Sequence, residues 1–306
     1  METPKLWIAP LSPEIVKVAK EFNVGFIISE NQLNPNGGYT GWTYESLRKE
    51  LPDHQIWRDH SSCNPEILTK DCKWLNGIHI DPFKLHPLTS VYNTFQSINF
   101  IHGLNSKIKY EVGTEEAVFP YDFISLNILL ENLFLCSDDI INNIQYAVIQ
   151  CGTALKNGEN IGVFDEEKAI EFRTLCQLFN VIPKEHNGDY QGPWRVAEKN
   201  RLFKNNFAIN IAPEIGSIQS EEIFKQLSSD NRRKMNKLII SNPNFNKWID
   251  KDFDLNNLDD IRIARIGGHY IYQNEEFQNI ISRAVEFDRV EFEIEMFIED
   301  TLYALK

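Results

Sequence analysis

The stretch Val24-Gly25-Phe26-Ile27-Ile28-Ser29-Glu30-Asn31-Gln32 sets the reading of the chain. Its first five residues are apolar on both faces of an extended segment, the pattern of a strand buried on both sides. Four polar residues follow at once. Strands of this kind belong to parallel sheets covered by helices, and helices are signalled on either side. Ser12 and Pro13 read as N-cap and first position of a helix with Ile15, Val18, Ala19 and Phe22 on one face. Asn64-Pro65 opens another, with Leu68, Cys72 and Leu75 on a stripe.

Working outward, eight β-rich runs recur, at 6–10, 24–30, 55–60, 77–83, 108–115, 145–152, 181–189 and 207–214. Two more helical stripes, Leu88, Val91, Tyr92, Phe95 and Ala169, Phe172, Cys176, Phe179, are expected to pack on the sheet. Eight strand–helix units are what a closed α/β barrel requires, so a (β/α)8 TIM barrel is expected over 1–216. Beyond it the alternation stops. Residues 217–306 read as a mainly helical extension, broken by Pro243, that packs on the barrel or caps one end.

The composition suits this. The chain has 306 residues, 42% of them hydrophobic and 25% charged, enough to bury a large core without staples. With 31 basic against 44 acidic residues its net charge is −13, which disfavours nucleic acid and anionic membranes but leaves room for a small phosphorylated ligand. Five cysteines without metal-ligand spacing read as reduced thiols. No signal-peptide core or membrane-length apolar run is apparent, so a cytoplasmic location is expected.

In such a barrel, chemistry sits at the C-terminal strand ends. Those ends carry Ser29-Glu30-Asn31-Gln32, Arg58-Asp59-His60, His79-Ile80-Asp81, Gly113-Thr114-Glu115-Glu116, Gln150-Cys151-Gly152 and Glu185-His186-Asn187-Gly188-Asp189-Tyr190. His60, Glu115 and His186, from strands three, five and seven, form a candidate set for a divalent metal: zinc, manganese or cobalt. The plainer alternative is that they are hydrogen-bonded residues lining the mouth. Asp59 and His60 are adjacent and point to opposite faces unless the strand ends or bulges there. His79 reads as a satisfied interior histidine, and His54, His86, His102 and His269 have no special context. Gly216-Ser217 precedes an expected helix start, a common phosphate position in barrels, although Glu214 beside it would repel an anion.

The stretch Glu30-Asn31-Gln32-Leu33-Asn34-Pro35-Asn36-Gly37-Gly38-Tyr39-Thr40-Gly41-Trp42-Thr43 closely resembles the SNQ-x-N-x-x-GGYTGMT segment of the GatZ/KbaZ-type subunits of tagatose-bisphosphate aldolase. Later motifs follow in the same order: Asp59-His60, His79-Ile80-Asp81, Gly113-Thr114-Glu115, Gln150 with Gly152, and His186 with Asp189-Tyr190. The resemblance spans about residues 6 to 216; in the extension, only Asn242-Pro243-Asn244-Phe245 and His269-Tyr270 are comparable to family features.

The resemblance implies a barrel related to metal-dependent class II aldolases. In these an Asp-His pair ends strand three, with the aspartate as acid/base and the histidine on the metal. It supports Asp59 as proton carrier, with Asp81 and Glu116 as further catalytic candidates, and His60, Glu115 and His186 as ligands to a divalent metal, zinc foremost. Glu30, Asn31, Gln32, Gln150, Asp189, Tyr190 and Ser217 are then the expected substrate contacts. One departure stands out. Strand eight offers Asn210-Ile211-Ala212-Pro213 where catalytic relatives place another histidine. The implied activity is aldol cleavage or carbon epimerisation of a ketose or related sugar, phosphorylated or not. The alternative is a non-catalytic subunit that stabilises a partner class II aldolase; a sugar-binding barrel without chemistry and a homo-oligomer are also compatible.

Overall fold

The computed structural model of the protein describes residues 3–33, 38–84 and 89–306; Asn34, Pro35, Asn36, Gly37, His86 and Leu88 of the sequence reading lie outside these. Eight parallel strands close a barrel: β1 (Leu6–Ile8), β2 (Gly25–Ile28), β3 (Ile56–Ser61), β4 (Gly77–Ile80), β5 (Lys109–Val112), β6 (Ile144–Ile149), β9 (Ile182–Glu185) and β10 (Ala208–Ile211). Every expected strand is present. Most stop short of the expected C-terminal boundary, because the chain leaves the ladder there to build the mouth.

Between β6 and β9 lies an antiparallel hairpin, β7 (Leu155–Lys156) with β8 (Glu159–Asn160), which the sequence reading missed. Its turn is Asn157-Gly158 at φ 53° and 73°, the left-handed pair that a two-residue hairpin requires. Helix starts follow their signals. Ser12 accepts from the Ile15 amide ahead of Pro13–Ala19, and Asn64 from the Glu66 amide ahead of Pro65–Trp74.

One stripe is corrected. Helix Ser90–Leu104 turns Thr94, Ser97, Ile98 and Ile101 inward, whereas Tyr92 and Phe95 are exposed. Small residues on that face let the helix lie close to the strands, so the more apolar stripe is left outside.

The barrel interior is filled in layers. At its floor Trp7, Ile27, Trp57, Tyr146 and Ala208 form a separate apolar cluster. The aromatic rings meet at 5.0–5.7 Å between centroids. Room for the indoles comes from Gly25 and Gly77: a Cβ there would come within 2.3 Å of Trp7 and 2.2 Å of Trp57. Above the floor lie Glu111 and Lys184, and above them the histidines of the mouth. Period-two alternation delivers these layers, with His79 on β4 paired in register to Glu111 on β5.

Helix Pro213–Gln226 runs unbroken through the expected boundary at 216. The last helix, Phe287–Ala304, packs on it and on Pro13–Ala19 and Gly192–Leu202. One apolar core joins barrel and extension from Leu6 to Leu305. Among the described residues, no helix is long and apolar enough to cross a membrane.

Candidate metal and sugar site

The site begins with an irregularity in β3. Its register against β4 shifts between Arg58 and Ser61, and His60 takes a left-handed φ of 45°. This is the bulge that adjacent inward-facing side chains require. Arg58 anchors it from outside the barrel: its guanidinium is buried against Asp71 at 2.6 and 2.9 Å and donates to the Ile28 carbonyl and the Tyr44 hydroxyl. Asp59 and His60 are thereby both delivered inward.

Three imidazoles are then oriented by acceptors on their far sides. His60 donates from Nδ1 to Asp81 Oδ2 at 2.7 Å, leaving Nε2 facing the centre. His79 donates from Nε2 to the Gly113 carbonyl at 2.9 Å, and its Nδ1 accepts from the His60 amide at 3.3 Å. His186 donates from Nε2 to Glu111 Oε1 at 2.6 Å, leaving Nδ1 only 3.2 Å from His60 Nε2. These partners orient the rings and turn one nitrogen of each towards a common point. Asp59 Oδ1 joins them at 3.8 Å from His60 Nε2 and 3.9 Å from the Nδ1 of both His79 and His186. That oxygen is buried with no hydrogen-bond partner.

Ring nitrogens facing each other beside an orphaned carboxylate oxygen repel unless a proton or a metal cation lies between them. Asp59, His60, His79 and His186 form the one cluster of metal-binding geometry among the described residues, with all donor atoms within 4.8 Å of one another. Mixed imidazole and carboxylate donors suit zinc or a similar divalent ion.

The electrostatics leave two ways to satisfy this cluster. Burial opposes charge on His60, but Asp59, Glu115 and Asp81 outweigh it and raise its affinity for a proton well above the ordinary histidine value, so a proton on Nε2, shared with His186 Nδ1, competes with a metal for the same place. Burial lowers the His186 pKa, keeping that ring neutral, as a ligand must be. Underneath, Glu111 Oε2 accepts from Lys184 Nζ at 2.6 Å, and both residues are buried. Burial pulls the Lys184 pKa down against the attraction of Glu111. The ammonium lies 4.3 Å from the Trp7 ring and 5.0 Å from that of Tyr146.

Above the donors is a cavity of about 250 Å³. Asp59, His60, Glu115, Asn31, Gln32 and Tyr39 line it from the barrel. Asn244, Lys247, Trp248, His269 and Tyr270 line it from the extension. The hairpin holds this roof: the Asn157 amide donates to the Trp248 carbonyl at 2.8 Å, and Asn160 donates to the Asn187 and Asp189 carbonyls.

Of the residues expected from sequence, Asp59, His60 and His186 converge. Glu115 stands beside them, its Oε2 3.5 Å from His60 Nε2 and held by Asn187 Nδ2 at 2.7 Å. Asp81 orients His60, and Asn31 and Gln32 reach the cavity.

Others are not brought there. Glu116 is exposed. Glu30 is occupied by the Ser62 amide and hydroxyl. Gln150 spends its amide on Thr114, Phe119 and Tyr121 backbone groups. Asp189 caps the Glu214 amide, and burial next to Glu214 raises its pKa well above the carboxylate range. Tyr190 bonds Ser217 at 2.6 Å. Ser217 is buried and donates to the Arg265 carbonyl; it lies a turn inside a helix that already starts at Pro213, so it offers no phosphate a helix N-terminus. His79, set aside as an interior histidine, is a member of the cluster. Its expected place in the barrel interior was the available signal. His269 and Tyr270 carried only a likeness to family features, and it is the folded extension that brings them over the mouth.

No family model matches the chain, and no curated protein does. Solved structures do. A "probable tagatose 6 phosphate kinase" from Sinorhizobium meliloti 1021 superposes with a TM-score of 0.71 at 14% identity over 99% of this chain and 100% of that one. The fructuronate-tagaturonate epimerase UxaE of Cohnella laeviribosi gives 0.71 at 11% identity over 99% and 81%. The YdjI aldolase of Escherichia coli K12 gives 0.52 at 12% identity over 92% and 94%. At these identities the likeness is one of fold: this chain has the barrel that those proteins have, and for the first two it extends through the helical C-terminal region.

Proposed function

We propose that this protein is a metal-dependent enzyme that moves a proton next to the carbonyl of a ketose or keto-sugar acid, with carbon epimerisation or aldol cleavage as the outcome. The convergence of three oriented imidazoles on the orphaned Asp59 oxygen carries the reading. The names of the epimerase and aldolase that share the fold agree with it. A divalent ion held by Asp59, His60, His79 and His186 would supply Lewis-acid polarisation of the carbonyl and stabilise the enediolate that both reactions share.

The chain's own groups supply the rest. Glu115 lines the cavity beside the donors and is positioned by Asn187, which suits it to accept a proton from substrate carbon or hydroxyl. This gives Asp59 the role of donor and Glu115 that of base. Asn31, Gln32 and Tyr39 offer hydrogen bonds to hydroxyls, and the Trp248–Tyr270 roof excludes water. Lys84 and Lys247 line the same cavity and favour a carboxylate or phosphate on the substrate. A volume of about 250 Å³ suits a single sugar unit. The alternative of a non-catalytic aldolase companion drew its support from the missing strand-eight histidine. His79 provides a donor from strand four instead, so that support falls away.

The test is metal analysis of the purified chain followed by incubation with keto-sugar acids and ketose phosphates in deuterated water. About one divalent ion per chain is expected for a single centre. A metal-dependent appearance of deuterium in recovered sugar or product is expected with it. A chain that neither retains a divalent ion nor exchanges a proton on any such sugar with metal supplied would refute the reading.

A further inference from the structure

Two neighbouring helices on the outside of the barrel are turned the wrong way for a monomer. Ser90–Leu104 buries Ser90, Thr94, Ser97, Ile98 and Ile101 and leaves Tyr92, Phe95, Phe100 and Leu104 at 64%, 37%, 40% and 47% exposure. Phe123–Leu133 packs beside it. It buries Leu126, Leu129, Leu130 and Leu133 and leaves Ile124 and Ile128 at 53% and 47%, with Leu135 just beyond at 85%. Positions 124, 128 and 135 share one helical stripe that faces outward.

Charge is missing from the same surface. No Asp, Glu, Lys or Arg occurs from 89 to 105, and Glu131 is the one such residue from 123 to 136, in a chain of which 25% is charged.

We infer that the outer face of these two helices is a two-fold interface that joins two copies of this chain. The charge pattern selects the occupant. Two molecules of net charge −13 repel, and close approach is cheapest where that charge has been removed. A basic partner would instead be drawn to an acidic surface, which this face is not. Gln96, Asn99, Ser125 and Asn132, among the exposed polar groups that remain, are uncharged and can both donate and accept, so they can pair across a two-fold axis.

The area fits as well. Taking about 150–250 Å² for a whole large side chain, the exposed parts of these seven sum to roughly 560–930 Å². Most of that range lies above the patch tolerated on most monomers, and it brackets the ~800 Å² that each partner contributes to a standard interface.

The experiment is sedimentation of the pure full chain over about 0.1–100 µM, since a dimer is populated by mass action. A dimer is expected, and added salt should strengthen it by screening the like charges. Tyr92→Glu and Ile128→Lys should each weaken it at least ~10-fold, as central contacts do, whereas Tyr303→Glu, at an equally exposed tyrosine elsewhere, should not. Native circular dichroism and a cooperative melt, lowered only as far as loss of the dimer requires, show that the variants are folded. A chain monomeric throughout that range overturns the inference, as does a dimer indifferent to both substitutions. Flotation of a monomeric chain with neutral lipid vesicles would overturn it in favour of a membrane surface. None of these outcomes depends on the proposed catalysis.

Discussion

Glu111→Gln tests the layer beneath the proposed metal site by two independent readouts. The wild-type carboxylate holds Lys184 Nζ at 2.6 Å with one oxygen and His186 Nε2 at 2.6 Å with the other, and Glu111 and Lys184 are each no more than 1% exposed. Glutamine preserves the volume and removes the charge. The Lys184 ammonium is then left over the floor rings without a counterion and must either stay charged at a high desolvation cost or give up its proton. Breaking a buried pair from one side costs about 3–5 kcal/mol. Denaturant melts should show that loss. Because the substitution also weakens the acceptor that fixes the His186 tautomer, chelator competition should show metal affinity lowered about 10–100-fold. Adding Lys184→Met separates the two effects. A thioether among Trp7, Trp57 and Tyr146 removes the stranded charge and should recover most of the stability, while metal affinity stays low. A Glu111→Gln chain as stable as the parent and with full affinity would refute the layered account. Failure of Lys184→Met to restore stability would show that the loss came from packing and not from charge.

Two further predictions follow from the site and its surroundings. Asp59→Asn should release the metal while the barrel stays folded, whereas Glu115→Gln should retain it and lower kcat about 10²–10⁴-fold; full metal with reduced kcat in Asp59→Asn would return the proton-carrier role to Asp59. Burial, eased by the Tyr190 amide and Arg265, raises Glu214 from 4.5 to about 7, so the folded state prefers the protonated acid. Its contribution is therefore complete below pH 4.5 and disappears as pH rises through about 7. The change is roughly 2–3 kcal/mol after allowance for partial exposure, and Glu214→Gln should flatten that part of the stability–pH curve.

The eight strands were legible because double-sided apolar runs and N-cap signals are local, and local physics forms them wherever they occur. The orientation of Ser90–Leu104 was not. Its Tyr92, Phe95 stripe is the more apolar, and choosing Thr94 and Ser97 for the inner face depends on how close that helix must come to its strands. The hairpin at 155–160 was missed although Asn157-Gly158 is a strong turn signal, because strands of two residues carry no periodicity. In the site, Asp59 and His60 were expected to reach the mouth together only if the strand ended or bulged there, and β3 bulges. His79 was read as an interior residue, and a histidine inside a barrel can be satisfied by one carbonyl. Only the neighbouring ring nitrogens and the Asp59 oxygen mark it as a candidate ligand.

Those ring nitrogens owe their arrangement to the floor. Trp7 and Trp57 occupy the space that Gly25 and Gly77 leave, so the lower barrel is closed to water. A polar layer placed directly on it must then satisfy itself, and Lys184 with Glu111 does so, with one carboxylate oxygen left to orient His186. The polar interior opens at the mouth. There β3 bulges to bring in two side chains instead of one, and residues 244–270 close over them. A barrel in which only a satisfied polar layer was required could have kept β3 regular and left Asp59 Oδ1 with a partner. The bulge, the orphaned oxygen and the three oriented rings are together the arrangement that the proposed cation would stabilise.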